Sequence, residues 1–140
     1  MTKKYKVLGK YIKDASSETP DVETYLFVRE IISKYKLGID ITSKALKNKM
    51  IEVTTKFVFQ DKENNNKKSY FEMNYSTIIQ LIEEISDKKE LEKIILCDLQ
   101  IKIYPDLEKA FLNLLHDSGY ESVKFSKKVD FESLYKQKFS

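Results

Sequence analysis

Cys97 and His116 are the side chains best suited to nucleophilic or metal chemistry, and each residue type occurs once in the chain. A zinc site takes four ligands, or three where catalysis keeps one position open. One cysteine and one histidine leave such a site incomplete unless carboxylates or other subunits contribute. As a nucleophile and its base the two would lie on different portions of a helical region, with no elbow or oxyanion motif beside either. Carboxylates are so plentiful that no single pair stands out. Glu83, Glu84 and Asp87 cluster where a helix starts, and there acidic side chains cap the first turn and offset its dipole. Gly9, Gly38 and Gly119 are the only glycines, too few for a loop that cradles phosphate. The expectation is therefore a protein that is not an enzyme, with no catalytic residue, no metal and no cofactor. Cys97 reads as a small core residue and His116 as a surface residue near a helix C-terminus.

Aromatic residues are the unusual feature, with nine Tyr, eight Phe and no Trp. Phe57, Phe111 and Phe131 are expected to fill a core. A tyrosine hydroxyl wants water or a partner, so half-exposed tyrosines along a sheet would suit contact with polypeptide. The charge is balanced, with 25 Lys plus Arg against 22 Asp plus Glu. Arg29 is the one arginine, whereas bidentate reading of phosphates and bases favours that side chain, and no nucleic-acid partner is expected. A lone cysteine forms no intrachain disulfide and fits a reducing compartment. The N-terminus lacks an apolar run of signal length, and nothing approaches the roughly 18 apolar residues of a membrane span. A cytoplasmic location without stable membrane insertion is the expectation.

The elements that must carry these residues read as strands first and helices last. Residues 5–12 predict a strand interrupted near Gly9, residues 13–21 an irregular stretch, and residues 22–32 a short helix or a loop, with Val22, Tyr25, Leu26 and Arg29 sharing a face if helical. Alternation at Tyr35, Leu37, Ile39 and Ile41 predicts a half-buried strand. Ile51, Val53, Thr55, Phe57 and Phe59 repeat the signal, although Val58 leaves the opposite face partly apolar. Asp61 to Lys68 predicts a polar turn, and residues 70–79 the return strand of an antiparallel meander. After Ser86 the period changes. Leu91, Ile94, Ile95, Leu99 and Ile103, then Leu107, Ala110, Phe111, Leu114 and Leu115, recur at helical spacing. Pro105 predicts a kink or a division into two helices, Gly119 a stop, and the last segment a tail ending in a short helix. The order is α+β: an antiparallel sheet with C-terminal helices packed on one face, all in one domain of 140 residues.

Several blocks resemble the SecB family of bacterial preprotein-export chaperones. Residues 10–20, Lys-Tyr-Ile-Lys-Asp-Ala-Ser-Ser-Glu-Thr-Pro, are similar to the family's first strand and its Lys-Asp-x-Ser-Phe-Glu-x-Pro continuation. Residues 36–41 and 51–59 resemble its second and third strands, and Tyr70-Phe71-Glu72-Met73 the start of its fourth. Tyr104-Pro105 is similar to a Phe-Pro in the helical region, and residues 129–135, Val-Asp-Phe-Glu-Ser-Leu-Tyr, to the family's Val-Asn-Phe-Asp-x-Leu-Tyr. The chain departs from the family in lacking a Gln-x-Gly-Gly-Ile-Phe stretch late in the fourth strand, in lacking an arginine after Pro105, and in being slightly basic.

The resemblance implies a four-stranded antiparallel sheet and a homotetramer built as a dimer of dimers. It also implies a holding chaperone that keeps secretory precursors unfolded and delivers them to the SecA motor of the translocon. Family positions that dock the motor fall on Asp14, Glu18, Tyr70 and Glu72. Candidates for the apolar client groove are Tyr25, Phe27, Val58, Tyr75, Ile78 and Ile79. Two alternatives stand beside this reading: a SecB-like chaperone dedicated to an antitoxin or other specific partner, and a non-enzymatic adaptor that binds a folded partner.

Overall fold

The computed structural model describes residues 4–61, 68–125 and 129–139. Strands β1 (Tyr5–Glu18), β2 (Lys36–Ala45), β3 (Met50–Gln60) and β4 (Tyr70–Leu81) form one antiparallel sheet in the spatial order β1-β4-β3-β2. Helix α1 (Val22–Ile31) connects β1 to β2. After the sheet come α2 (Lys88–Lys93), a π turn (Ile94–Asp98), α3 (Leu99–Asp117) and α4 (Phe131–Phe139). The α+β order and the β2-β3-β4 meander are those expected, with β1 added outside β4.

In β3 the burial alternates without a break, and Ile51, Val53, Thr55, Phe57 and Phe59 are the buried set. Their cross-strand partners are Ile79, Thr77, Tyr75, Met73 and Phe71. Directly opposed residues share a face, so these two rows form the inner face that the helices cover. Phe57 meets Phe111 edge-on at 5.5 Å, and Phe71 meets Tyr120 at 5.4 Å. Phe57, Phe111 and Phe131 are buried as expected. The outer face carries the intervening residues, among them Glu52, Lys56, Val58, Glu72 and Ile78.

Two local expectations are corrected, and a third, left open between helix and loop, is decided. Residues 13–18 are not irregular, because β1 continues through them to Glu18. Pairing with the whole of β4 outweighs the weak strand propensity of Asp and Ser. The interruption near Gly9 survives only as a register shift between Val7 and Gly9, with a second between Ile12 and Asp14. Residues 22–31 are helical, since Asp21 accepts a 2.7 Å bond from the Thr24 amide and caps the first turn. The buried positions, however, are Thr24, Val28 and the following Ile32, whereas Val22 and Leu26 are 69% and 52% exposed.

Pro105 lies within α3 and does not divide it. The proline sits on the solvent side, as does Ile101 four residues earlier, so water can satisfy the carbonyl that loses its amide partner. The irregularity falls instead at the π turn, where Cys97 is fully buried and Gln100 follows at 1% exposure. Gly119 ends α3 with φ +103°. A Cβ there would stand 2.7 Å from the Tyr25 ring, so both the backbone and the neighbour require glycine. Of the predicted turn at residues 61–68, positions 62–67 lie outside the described residues.

Candidate docking and client surfaces

The register brings Asp14, Glu18, Tyr70 and Glu72 together. Glu18 pairs with Tyr70, Ser16 with Glu72 and Asp14 with Asn74. Glu72 and Asn74 oppose Val58 and Lys56 on the outer face. All four candidates therefore occupy one end of the outer face, where β1 finishes and β4 begins. Glu72 accepts a 2.8 Å bond from the Tyr70 hydroxyl and pairs with Lys56 at 3.1 Å. The Tyr70 bond, and with it the Lys56 ammonium, holds the Glu72 carboxyl below its ordinary value, while the same bond raises the Tyr70 phenol. Further along the face Glu52 gathers Ser76 at 2.8 Å, Lys13 at 3.3 Å and Tyr11 at 3.4 Å. Its carboxyl is likewise lowered, first by the Ser76 hydroxyl. Sequence reasoning missed Glu52, whose partners come from β1 and β4.

On the other side of the sheet a cleft of about 680 Å³ opens between β2 and the C-terminal segment. Its apolar walls are Tyr35, Leu37, Ile39, Tyr104, Phe125 and Leu134, and Lys36 and Lys124 lie at its margin. A second hollow of about 420 Å³ shares Tyr104, Phe125 and Val129 and runs over Ile101 and Pro105. Tyr104 is held edge-on to Phe131 at 5.5 Å, and burial raises its phenol well above the usual range. β2 is an edge strand of the sheet, so backbone donors and acceptors run beside the apolar walls.

The six client candidates do not line this cleft. Tyr25 packs on Tyr120 at 5.3 Å and donates to the Gly119 carbonyl at 2.8 Å. Phe27 is 39% exposed on α1. Val58 and Ile78 lie half-buried on the outer face, while Tyr75 and Ile79 lie on the inner face, Ile79 fully buried in the core. Among the residues with possible chemistry, Cys97 is buried and its thiol is pushed up by that burial. His116, expected at the surface, is half-buried, and its Nε2 lies 2.9 Å from the Val123 carbonyl. Among the described residues no three His, Cys, Asp or Glu side chains converge to hold a metal.

A family model described as preprotein translocase subunit SecB matches residues 1–140. The chain belongs to the SecB family. It is 61% identical over 138 residues to the SecB-type export protein of Pelagibacter ubique, covering 99% of each chain. It is 25% identical over 131 residues to a protein-export protein SecB of Bradyrhizobium, covering 94% of this chain and 79% of the other. Among solved structures, a SecB-like chaperone of Mycobacterium tuberculosis in complex with an antitoxin peptide superposes with a TM-score of 0.66. That match has 9% identity and covers 89% and 91% of the two chains. The fold is thus the SecB fold, and the chaperone role is that of the family.

For a SecB-family chain the cleft residues were partly visible in sequence. Tyr35, Leu37 and Ile39 appear as one strand face, but alternation does not distinguish an edge strand from a central one. Phe125 carries no local signal, and Leu134 reads in sequence only as part of a packing tail, because only the return of the C-terminal segment across α3 brings the two to β2. No helix of the described residues is long and apolar enough to cross a membrane.

Proposed function

We propose that this SecB-family chain is a holding chaperone of the cytoplasm that binds unfolded secretory precursors and delivers them to the SecA motor. The observation that carries the reading is the apolar cleft beside the β2 edge. An extended client can lay alternate side chains against Tyr35, Leu37, Ile39 and Phe125 without a tight requirement on sequence. Each large apolar side chain buried contributes about 1.5–3 kcal/mol before ordering costs. One cleft therefore holds weakly, and several clefts in a tetramer built as a dimer of dimers hold by avidity. Phe27 on α1 and Val58 and Ile78 on the outer face offer separate apolar contacts away from the cleft. Asp14, Glu18, Tyr70 and Glu72 form the docking end for the motor. A reading as a chaperone dedicated to one antitoxin is supported by the Mycobacterium tuberculosis neighbour, which carries such a peptide.

Light scattering of a denatured precursor diluted into buffer with and without the purified protein tests the proposal. The wild type is expected to suppress aggregation and to ignore the folded precursor. Leu134 is 46% exposed at the cleft wall, so Leu134→Glu should fold normally and lose suppression severalfold. A wild type that leaves aggregation unchanged would sink the holding role. Suppression confined to one antitoxin would select the dedicated reading.

A further inference from the structure

We propose that the tip of the β2–β3 hairpin docks this protein on the surface of an anionic phospholipid bilayer. At that end of the sheet β1 begins, β4 ends, and residues 46–49 turn the chain from β2 into β3. Lys44, Lys47 and Lys49 surround the tip, and Lys6 lies nearby opposite Gln80, whose other neighbour is Met50. Among the described residues none of these four lysines forms an ion pair. The nearest outer-face carboxylate, Glu52, opposite Lys44, is engaged by Ser76, Lys13 and Tyr11. Lys4, in contrast, faces both Glu83 and Glu90, and with the exposed Glu84 these leave the β1–β4 corner of this end net negative, so the basic surface is confined to the hairpin tip. Leu46, 38% exposed, lies in the turn between Lys44 and Lys47, and Ile82, 56% exposed, follows Leu81, whose amide bonds the Lys49 carbonyl. Several lysines with apolar neighbours and no arginine suit diffuse attraction to a sheet of phosphates, with shallow contact to the headgroup region.

A second, independent observation lies in the backbone. The tip is a β-turn over residues 47–50, in which the Met50 amide donates to the Lys47 carbonyl at 3.3 Å, within a three-residue loop closed by the Leu46 amide on the Met50 carbonyl at 2.8 Å. Both central residues have positive φ, Asn48 at 62° and Lys49 at 61°. Such a turn favours Asn followed by Gly, and a lysine in the second place is strained where glycine is not. The tip is also fixed to the sheet, since Leu81 donates its amide to the Lys49 carbonyl at 2.9 Å and Gln80 its side-chain amide to the Asn48 carbonyl at 3.2 Å. Fold stability alone would place glycine at position 49. A charged side chain kept there against the local backbone preference points to use of the charge. The opposite end of the same face carries Asp14, Glu18 and Glu72, which an anionic surface repels. The molecule would then stand on the bilayer with its acidic end directed away.

Co-sedimentation with vesicles of phosphatidylcholine, pure or mixed with phosphatidylglycerol, tests this on the purified full chain. The protein should sediment with the mixed vesicles alone, and about 1 M salt, where the Debye length is about 3 Å, should release it. Each lysine near the surface contributes about fivefold to partitioning, so the combined Lys44→Gln, Lys47→Gln, Lys49→Gln variant should bind roughly a hundredfold more weakly. Lys49→Gly should bind about fivefold more weakly while its unfolding temperature rises, a pairing that a purely structural lysine would not give. Equal binding of wild type and triple variant, or equal binding to pure phosphatidylcholine, would overturn the proposal. So would soluble poly-glutamate bound as tightly as vesicles of equal charge, which would assign the tip to an acidic protein. The holding assay contains no lipid, so either proposal can fail without the other.

Discussion

A carboxylate on an open sheet face ordinarily meets only water, yet Glu52 and Glu72 keep side-chain exposures of 16% and 20% and are wrapped by hydroxyl and ammonium donors. Both titrate below their ordinary value in the folded protein. Their stabilising contribution is therefore complete above the unfolded carboxylate value of about 4.3 and is lost as pH falls through the lower folded value. Glu52→Gln removes that dependence while keeping an oxygen for Ser76. The expected outcome is a variant up to about 1 kcal/mol less stable than wild type at pH 7, with the gap closing as the solution is acidified below about pH 4. Urea unfolding across that range measures it, and a gap independent of pH would refute the assignment of the shift to the Glu52 charge. The same wrapping bears on docking, because a basic partner reaching Glu72 has to compete with Lys56 at 3.1 Å.

Within the long C-terminal helical run, the π turn departs from α geometry, and Gln100 explains how the core tolerates it. The side-chain amide of Gln100 donates to the Ile95 carbonyl at 3.2 Å, inside the π turn, while its oxygen accepts from the Thr55 hydroxyl at 2.9 Å. One buried amide thus satisfies the helix irregularity and ties it to β3. Gln100→Leu leaves Ile95 and Thr55 without that partner and is expected to cost about 1–3 kcal/mol. Thr55→Val should cost less in the Gln100→Leu background than in wild type, with a coupling of at least about 0.5 kcal/mol in a double-mutant cycle. Strict additivity would show that the bridge carries no stability. None of this was legible in the sequence, where Gln100 is one polar residue between apolar positions of an amphipathic pattern. What was legible had strong local period: the five inward residues of β3, the helical spacing through Leu115 and the stop at Gly119. Asp14 to Glu18 became strand through pairing with β4, which no local pattern encodes. The docking candidates fell on one face because strand register obeys a period of two. The client candidates scattered because the cleft is made by a distant segment returning to an edge.

At the scale of the whole molecule, the sheet has two edges that need managing. β2 runs beside the C-terminal segment and the cleft, whereas β1, fourteen residues long, bears Leu8, Tyr11 and Ile12 at 47%, 46% and 50% exposure. Bulges at Leu8 and Lys13 bend this edge without closing it. Large apolar side chains along an unpaired edge are an assembly surface or an aggregation hazard, and a proposed tetramer makes use of them. Ile12 contributes little to the core of one chain, so Ile12→Glu should leave the fold intact and shift the assembly to smaller species in light scattering. Holding should then weaken by up to about a hundredfold per chain, because clefts no longer act on one client together. Loss of assembly with undiminished holding would place the chaperone activity in the single cleft. An assembly unchanged by Ile12→Glu would move the interface away from β1 and leave the exposed edge as a second surface for extended clients.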